Sequence, residues 1–322
     1  MSTSRRLPVV DISGMERNLA AVAGQIGAAC RDNGFFYVAG HGIDTSVIGD
    51  AFRANAKFHA LPLEEKLQVR LNAWHRGYQT LGGSKLTSSA RFPAARLPNQ
   101  LESFFVRHEL PEGHPDLAAN KPLQGPNQWP ADPWFKAVVQ RYELAVRNLG
   151  LRLLPAIATA LGQPADFFAP HFTSPNTALR LIHYPPTPRD RPEDLFGANQ
   201  HTDYGFITIL SQDDIGGLEV LNEDGSWLPV ASVPGTFVIN IGDMLARWTN
   251  DRFQSTPHRV VNASTERDRY SIAYFFDPNL ETVIRCMPGL ADPADGERYE
   301  PVVLADYVSM RLNANYQDRK TQ

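Results

Sequence analysis

Apolar residues in the first part of the chain recur at intervals that distinguish helices from strands. A spacing of three or four positions predicts an amphipathic helix over residues 16–33. The apolar positions of this helix are Leu19, Val22, Ile26 and Ala29. Short apolar runs predict strands over residues 8–12 and 35–38, and further helical patterns cover about 44–59 and 62–66.

The middle of the chain changes from loop-rich to strongly helical sequence. Residues 72–128 are rich in Gly, Pro, Ser and Asn, which predicts loops and short edge strands, for example over residues 103–106. Residues 132–162 carry the longest helical pattern, with Asp132 as the expected N-cap. Pro155 is expected to kink or split this helix because proline removes a backbone donor.

Short β-rich runs follow one another at close intervals from residue 178 onward. They cover residues 178–184, 205–211, 217–221, 236–241, 257–261 and 269–276. This spacing, with turn residues between the runs, predicts a β-sandwich or barrel. Residues 301–314 predict a closing helix.

The fold class expected from these patterns is mainly β with flanking helices, organised as one structural unit. Four regions are expected within it. They are an N-terminal helical and strand region (1–128) that packs on and completes the core, a long backing helix region (129–177), the catalytic β core (178–285) and a C-terminal segment with its helix (286–322).

Composition narrows the classes of partner and compartment. The 322 residues are 43% hydrophobic and carry a net charge of −4, which suits a globular protein with a substantial core. The absence of a basic run argues against a nucleic-acid partner. No apolar run is long enough for a membrane span, and no secretory signal is evident. With only Cys30 and Cys286, a reducing, cytoplasmic location is expected. Oligomeric state is not indicated.

Two short stretches carry the candidate metal chemistry. Side chains two apart on a strand point the same way, so His201 and Asp203 are expected to aim at one point from a single strand. His258 begins another predicted strand and would reach the same point. A His-x-Asp pair alone is common in turns and surface pairs, but the second histidine changes the interpretation. Two imidazoles and one carboxylate on one face of an octahedron form the facial triad of non-haem Fe(II) oxygenases.

The other histidines lack such a setting and are expected to be structural or on the surface. They are His41, His59, His75, His108, His114, His171 and His183.

A candidate anion site follows the second histidine. Arg269 and Ser271 are two apart on a predicted strand and can hold one carboxylate beside the metal. A chelating dianion would suit the net positive charge of Fe(II) bound by two neutral imidazoles and one carboxylate. Alternatively, Arg269 is an ordinary exposed strand residue.

A third predicted strand, residues 179–184, places Arg180, Ile182 and Tyr184 on one face. If this face lines the cavity, Tyr184 can donate to the same carboxylate and Arg180 can meet the substrate. Alternatively, Arg180 is exposed and the opposite face, with Leu179, Leu181 and His183, points inward.

Two aromatic residues are further candidates for contact with substrate. Phe275 shares the face of Arg269, and Tyr204 follows Asp203 directly. The two rings could flank a flat substrate, or they could be core packing.

In combination, several segments resemble the isopenicillin N synthase-like Fe(II)/2-oxoglutarate-dependent oxygenases, and the resemblance extends over nearly the whole chain. The matching segments are VVDIS, GFFYVAGHGI, LRLIHYPP, HTDYGFITILSQDDIGGLEV, NIGDMLARWTND, STPHRVVN and RYSIAYFFDPN. Plant members often carry Asn where this chain has Ile182, which puts one cosubstrate contact in doubt. Within the family, the HTDYG and RYSIAYF stretches are similar to fungal thymine hydroxylases and microbial ethylene-forming enzymes, a hint of a small or planar substrate.

The resemblance implies a double-stranded β-helix, or jelly roll, with iron in its mouth. It implies a dioxygenase that oxidises a small molecule, and hydroxylation is the main expectation. In this reaction 2-oxoglutarate and O2 would yield succinate and CO2, and ascorbate could act as an accessory reductant. The implied iron ligands are His201, Asp203 and His258, and the implied 2-oxoglutarate contacts are Arg269, Ser271 and Tyr184.

Three alternatives stay open at this point. One is an iron oxidase of the same family that works without 2-oxoglutarate, of the ring-closing or ethylene-forming type. Another is a zinc hydrolase with a His2Asp site, although the chain has no HExxH motif. The third is a non-catalytic binding protein on this fold. Neither the substrate nor the outcome of oxidation (hydroxylation, desaturation, cyclisation or fragmentation of 2-oxoglutarate) can be read from the sequence.

Overall fold

The computed structural model describes residues 6–85 and 92–316. The helices of these residues are α1 (Leu19–Asp32), α2 (Thr45–His59), α3 (Leu63–Leu67), α4 (Pro115–Ala118), α5 (Pro133–Ala160), α6 (Asp243–Trp248) and α7 (Leu304–Asn315). The strands are β1 (Val9–Asp11), β2 (Phe35–Ala39), β3 (Gly77–Gln79), β4 (Glu102–Arg107), β5 (Asn176–Tyr184), β6 (Ala198–His201), β7 (Ile207–Gln212), β8 (Leu218–Leu221), β9 (Trp227–Val230), β10 (Phe237–Ile241), β11 (His258–Val260), β12 (Arg269–Asp277), β13 (Val283–Ile284) and β14 (Val302–Val303).

Two sheets form the core of the molecule. The larger has the order β1-β2-β10-β7-β12-β5-β4-β3, and the smaller has the order β6-β11-β8-β9. Antiparallel pairing of β10, β7, β12 and β5 provides the wide, regular part of the larger sheet. This arrangement is the predicted double-stranded β-helix. The predicted N-terminal region (1–128) contributes strands β1 to β4 to the same sheet as the strands of the predicted β core. The boundaries of the four predicted regions stay a prediction.

Each face of the larger sheet is covered. One face packs with helices α1, α2 and α5 around a large apolar cluster that includes Ile26, Phe58 and Leu153. The other face meets the smaller sheet through a second cluster, in which Ile182 and Val220 take part. Because both faces are buried, β5 does not have the exposed side that one alternative assumed, and Leu179 and Leu181 are buried on the helix side.

The longest helix differs from its prediction at one point. Helix α5 begins after Asp132, whose side chain accepts a hydrogen bond from the backbone N–H of Trp134, as expected for an N-cap. The helix then continues through Pro155 to Ala160, so the predicted split does not occur. The residues on either side, Leu154 and Ala156, are buried, and tertiary context of this kind can override a low helix propensity. None of the helices in the described residues is long and apolar enough to cross a membrane.

Candidate active site

The side chains of His201, Asp203 and His258 converge at one end of the smaller sheet, where β6 ends and β11 begins. His201 is the last residue of β6 and His258 the first of β11, and the two lie opposite each other in the antiparallel pair. Their Nε2 atoms lie 3.8 and 3.7 Å from Asp203 Oδ1. Asp203 itself lies in the loop after β6, so the prediction that His201 and Asp203 share one strand was wrong. The convergence instead comes from strand pairing plus a loop.

Hydrogen bonds behind the three side chains orient them. His201 Nδ1 lies 2.6 Å from the carbonyl oxygen of Asn199, and His258 Nδ1 lies 3.2 Å from that of Thr256. A carbonyl only accepts, so each Nδ1 carries a proton and each Nε2 is the nitrogen turned toward Asp203. Burial lowers the pKa of His201 to about 4, with His258 adding to the effect, so the imidazole is neutral at physiological pH.

The carboxylate of Asp203 is divided between two tasks. Oδ1 faces the imidazoles, while Oδ2 accepts hydrogen bonds from Thr208 Oγ1 at 2.5 Å and from Asn240 Nδ2 at 2.7 Å. Burial alone would raise the pKa of Asp203, but the neighbouring histidines and these two donors keep it below its ordinary value. Two imidazole nitrogens and one carboxylate oxygen are a ligand set that fits Fe(II). Within the described ranges, no other group of His, Cys, Asp or Glu side chains has ligand atoms this close together.

The loop that carries Asp203 is held from two sides. At the start of α6, the backbone N–H groups of Asp243 and Met244 donate to the carbonyls of Asp203 and Gly205. From β12, Asp277 Oδ1 accepts a hydrogen bond from the backbone N–H of Phe206 at 2.8 Å. A Cβ at Gly205 would lie 1.8 Å from that oxygen, so only glycine fits here.

Arg269 lies fully buried in the same cavity as the triad, on the larger sheet. Its Nε donates to the carbonyl of Gly216 at 2.7 Å, and its Nη2 to Gln212 Oε1 at 3.3 Å. Ser271, two residues on, lies on the same face and accepts from Nη1 at 3.4 Å. The guanidinium lies 4.6 Å from the centre of the Tyr184 ring. All of these acceptors are uncharged, so a carboxylate would be a favourable partner.

A second cavity borders the triad on the side of Tyr204 and Phe275. Arg180 also lines it, with Nε donating to Ser103 Oγ at 3.0 Å and Nη2 to Gln79 Oε1 at 2.9 Å. All three predicted substrate residues therefore line this cavity, and Arg180 and Phe275 also line the first one. Tyr204 is fixed by α7, because Asn315 Nδ2 lies 2.6 Å from its hydroxyl.

Several residues of this second cavity were missed by sequence reasoning. They are His75, Phe105, Arg107, Asp277, Val308, Leu312 and Tyr316. Asp277 could have been found, because it lies two residues past Phe275 and extends the alternation that begins at Arg269. Burial raises the pKa of Asp277 to about 6. The others come from distant elements, and His75, expected to be structural or on the surface, is one of them.

Comparisons with known proteins agree with this geometry. Residues 175–278 match the 2OG-Fe(II) oxygenase superfamily, and residues 7–132 match the N-terminal family described as non-haem dioxygenase in morphine synthesis. A 2-oxoglutarate-Fe(II) type oxidoreductase of Emericella nidulans is 35% identical over 305 residues, which cover 92% of this chain and 85% of the relative. The chain belongs to the 2OG-Fe(II) oxygenase superfamily.

Other relatives of this oxygenase resemble it over their whole length. A homoarginine-6-hydroxylase of Oryza sativa is 35% identical, with 98% of this chain and 99% of the relative covered. The crystal structure of a Neurospora crassa protein in complex with α-ketoglutarate and thymine has a TM-score of 0.83 and 31% identity, and covers 98% of both chains. This oxygenase is therefore a 2-oxoglutarate-dependent dioxygenase that uses Fe(II) and oxidises a small organic molecule. The zinc hydrolase, the 2-oxoglutarate-independent oxidase and the non-catalytic binding protein are disfavoured.

Proposed function

We propose that His201, Asp203 and His258 hold Fe(II), and that Arg269 and Ser271, assisted by Tyr184, bind the far carboxylate of 2-oxoglutarate. The observation that carries this assignment is the single cavity lined by both the triad and the buried Arg269. Bound iron supplies the activation of O2, coupled to decarboxylation of 2-oxoglutarate to succinate and CO2. The protein orients both reactants and excludes water through apolar walls that include Leu218 and Val260.

The substrate would occupy the second cavity, on the other side of the metal. Tyr204 and Phe275 provide ring faces there, and Arg180 provides a cation whose hydrogen-bond acceptors are uncharged. A small, flat molecule with a carbonyl or carboxylate for Arg180 fits this wall. Thymine, the ligand in the Neurospora crassa structure, is the first probe of this class.

A second candidate substrate is a basic amino acid, as the name of the rice relative suggests. The observation that favours it is Asp277, a buried carboxylate in the same cavity as Arg180. Its carboxylate would accept hydrogen bonds from an ammonium or guanidinium group while Arg180 binds the acid end. Substitution of Asp277 by Asn should abolish activity on homoarginine and leave activity on a flat neutral substrate, since the amide oxygen can still accept from Phe206 although the hydrogen bond from Asn176 is lost. Succinate release with each probe separates the two classes.

The cosubstrate assignment is tested by anaerobic titration of 2-oxoglutarate into the Fe(II)-loaded protein, with the visible charge-transfer band of the chelate as the signal. His258→Ala should remove the band together with iron binding. Arg269→Ala should keep iron but weaken 2-oxoglutarate binding at least about 100-fold, because a bidentate charged contact is lost. Arg152→Ala, a change of the same kind on α5, is the control. Unchanged 2-oxoglutarate affinity in Arg269→Ala would refute the carboxylate assignment.

A further inference from the structure

His183 lies between two carboxylates on the side of β5 that faces away from the metal. Its Nδ1 is 2.7 Å from Glu102 Oε1, and its Nε2 is 2.8 Å from Asp268 Oδ1. A neutral imidazole has one donor and one acceptor nitrogen, so it can satisfy only one of these carboxylates. Both contacts are hydrogen bonds only when His183 carries two protons. The geometry therefore selects the imidazolium form.

The carboxylate of Glu102 is fixed from further sides. Its Oε2 accepts a hydrogen bond from Lys66 Nζ at 2.8 Å and a second one from the Tyr78 hydroxyl. Burial alone would raise the pKa of Glu102, but the hydrogen bonds from His183, Lys66 and Tyr78 lower it to about 2. Glu102 is therefore an anion throughout the neutral range. We call the group of His183, Glu102 and Asp268 the His183 clamp. Its Glu102 side is buried and fixed by several hydrogen bonds.

The remaining groups around His183 do not compete with it as a titrating site near neutrality. The His59 ring lies 5.6 Å away on α2, and burial lowers the pKa of His59 to about 3. The Tyr270 ring is stacked on His183 at 5.1 Å, and burial raises the pKa of Tyr270 to about 12. Asp268, the second carboxylate, is half exposed. Neither His59 nor Tyr270 therefore changes charge near neutral pH.

The strand register connects this clamp to the cosubstrate site. His183 pairs with Tyr270, while its neighbour Tyr184 pairs with Arg269. Asp268 directly precedes Arg269 in the chain. The contact between His183 and Asp268 thus holds the residue just before β12 against β5, and the contact with Glu102 joins β5 to β4. Next to the buried guanidinium of Arg269, protonated His183 on β5 thus joins β4 and the residue before β12.

We propose that His183 is a positioning residue for the cosubstrate site: when protonated, it holds the Asp268–Arg269 corner so that the guanidinium meets the far carboxylate of 2-oxoglutarate. The proposal rests on the function proposed above for Arg269. Loss of the second proton breaks one of the two hydrogen bonds, loosens the corner and weakens binding of 2-oxoglutarate. Binding of 2-oxo acids that lack a far carboxylate should be insensitive to this change.

The direction of the pH dependence follows from the same contacts. Burial by itself would lower the pKa of His183, but the hydrogen bonds to Glu102 and Asp268 outweigh it and raise the pKa above the ordinary value of 6.5. Because the pKa is raised above 6.5, the imidazolium is the dominant form at pH 6.5 and is lost as pH rises through the folded-state pKa. Affinity for 2-oxoglutarate should therefore decline from neutral toward alkaline pH.

The test uses the Fe(II)-loaded full chain under anaerobic conditions between about pH 6.5 and pH 9, which starts at the ordinary pKa of histidine and extends upward because the pKa of His183 is raised. Dissociation constants of 2-oxoglutarate and of 2-oxopentanoate, which chelates iron but has no second carboxylate, are measured at each pH. Their ratio cancels any effect of pH on the metal itself. In the wild type, the constant for 2-oxoglutarate relative to that for 2-oxopentanoate should rise about threefold to tenfold across this range, since only part of the effect of losing one charge-assisted hydrogen bond reaches the binding site.

Two variants separate positioning from general stability. In His183→Gln the ratio of the two dissociation constants should not change with pH. It should already be higher than in the wild type at pH 6.5, because 2-oxoglutarate binds more weakly, while the affinity for iron is unchanged. Asp268→Asn, at a half-exposed position where misfolding is not expected, should reduce the pH-dependent change. A ratio that is constant with pH in the wild type, or one that changes equally in His183→Gln, would overturn the proposal.

Failure of the underlying function gives a different result. If Arg269→Ala binds 2-oxoglutarate as the wild type does at pH 6.5, Arg269 is not the carboxylate partner, and both proposals are overturned. If Arg269→Ala weakens 2-oxoglutarate alone while the wild-type ratio ignores pH, only the role of His183 is overturned.

Discussion

The affinity of the site for iron should depend on Asn240, which lines the same cavity but is not one of the proposed iron ligands. Asn240 is buried, and its Nδ2 donates to Asp203 Oδ2 at 2.7 Å, which leaves Oδ1 for the metal. Substitution by Ala removes one of the two donors that fix the carboxylate, and Thr208 remains as the other. A charge-assisted hydrogen bond contributes about 1.5–3 kcal/mol to a folded protein. Part of this contribution is the orientation of Oδ1.

The magnitude expected for Asn240→Ala is a loss of about 10- to 100-fold in Fe(II) affinity, or about 1.4–2.8 kcal/mol, because residues behind a metal ligand typically matter to this degree. Thr208→Val should have an effect of similar size. The double variant should lose more than either single one, since both of these side-chain donors to Oδ2 are then removed.

The assay is anaerobic competition for Fe(II) with a chromophoric chelator, combined with thermal unfolding. The matched control is Asn279→Ala, another buried asparagine, whose side chain bonds the segment 170–174 instead of the site. The control should lower the melting temperature without changing the iron affinity. Iron affinity of Asn240→Ala within about twofold of the wild type, less than the loss expected of a residue behind a metal ligand, would refute the idea that this hydrogen bond orients Asp203.

Three further changes test other parts of the site. Gly205→Ala would place a Cβ 1.8 Å from Asp277 Oδ1 and should lower stability by about 1–3 kcal/mol and also weaken iron binding. The control Gly24→Ala, with open space around the added Cβ, should change neither quantity. Calorimetry and iron titration measure the two effects. Phe275→Ala should keep the 2-oxoglutarate band but lower the ratio of oxidised substrate to succinate about 10- to 100-fold, as the substrate loses its alignment; an unchanged ratio would contradict a substrate-facing role. Glu102→Gln should lose about 3 kcal/mol of stability at pH 7 by leaving buried cations unpaired. Because the pKa of Glu102 is lowered from 4.5 to about 2, that loss should shrink as pH falls through this interval, and a loss independent of pH in urea unfolding would contradict the assignment.

Much of the fold follows from local patterns. The helices at Leu19–Asp32, Thr45–His59 and Pro133–Ala160 were predicted within a few residues because each buries an apolar stripe with a period close to that of a helix. Strand β9 was not predicted, and of β6 only its last residue, His201, was expected to lie on a strand. Each has only four residues, too few for an alternation to show, and each is stabilised by pairing with a partner strand.

The candidate site divides in the same way. Alternation along one strand correctly placed Arg269, Ser271 and Phe275 on one face, because strand geometry is a local property. The same rule was wrong for Asp203, which lies in a loop. That loop is positioned by α6 and by the side chain of Asp277, and neither is close to it in the sequence.

The sequence by itself therefore determined which donors and which cation are present, and hence the metal and the class of cosubstrate, since these depend on residue chemistry. Tertiary structure decided which atoms meet: the oxygen of Asp203 that is left for the metal, the division between the two cavities, and the clamp that encloses His183. The physical reason is that hydrogen bonds and burial act over a few ångströms in space, and folding brings together groups such as Glu102 and His183 that lie far apart along the chain.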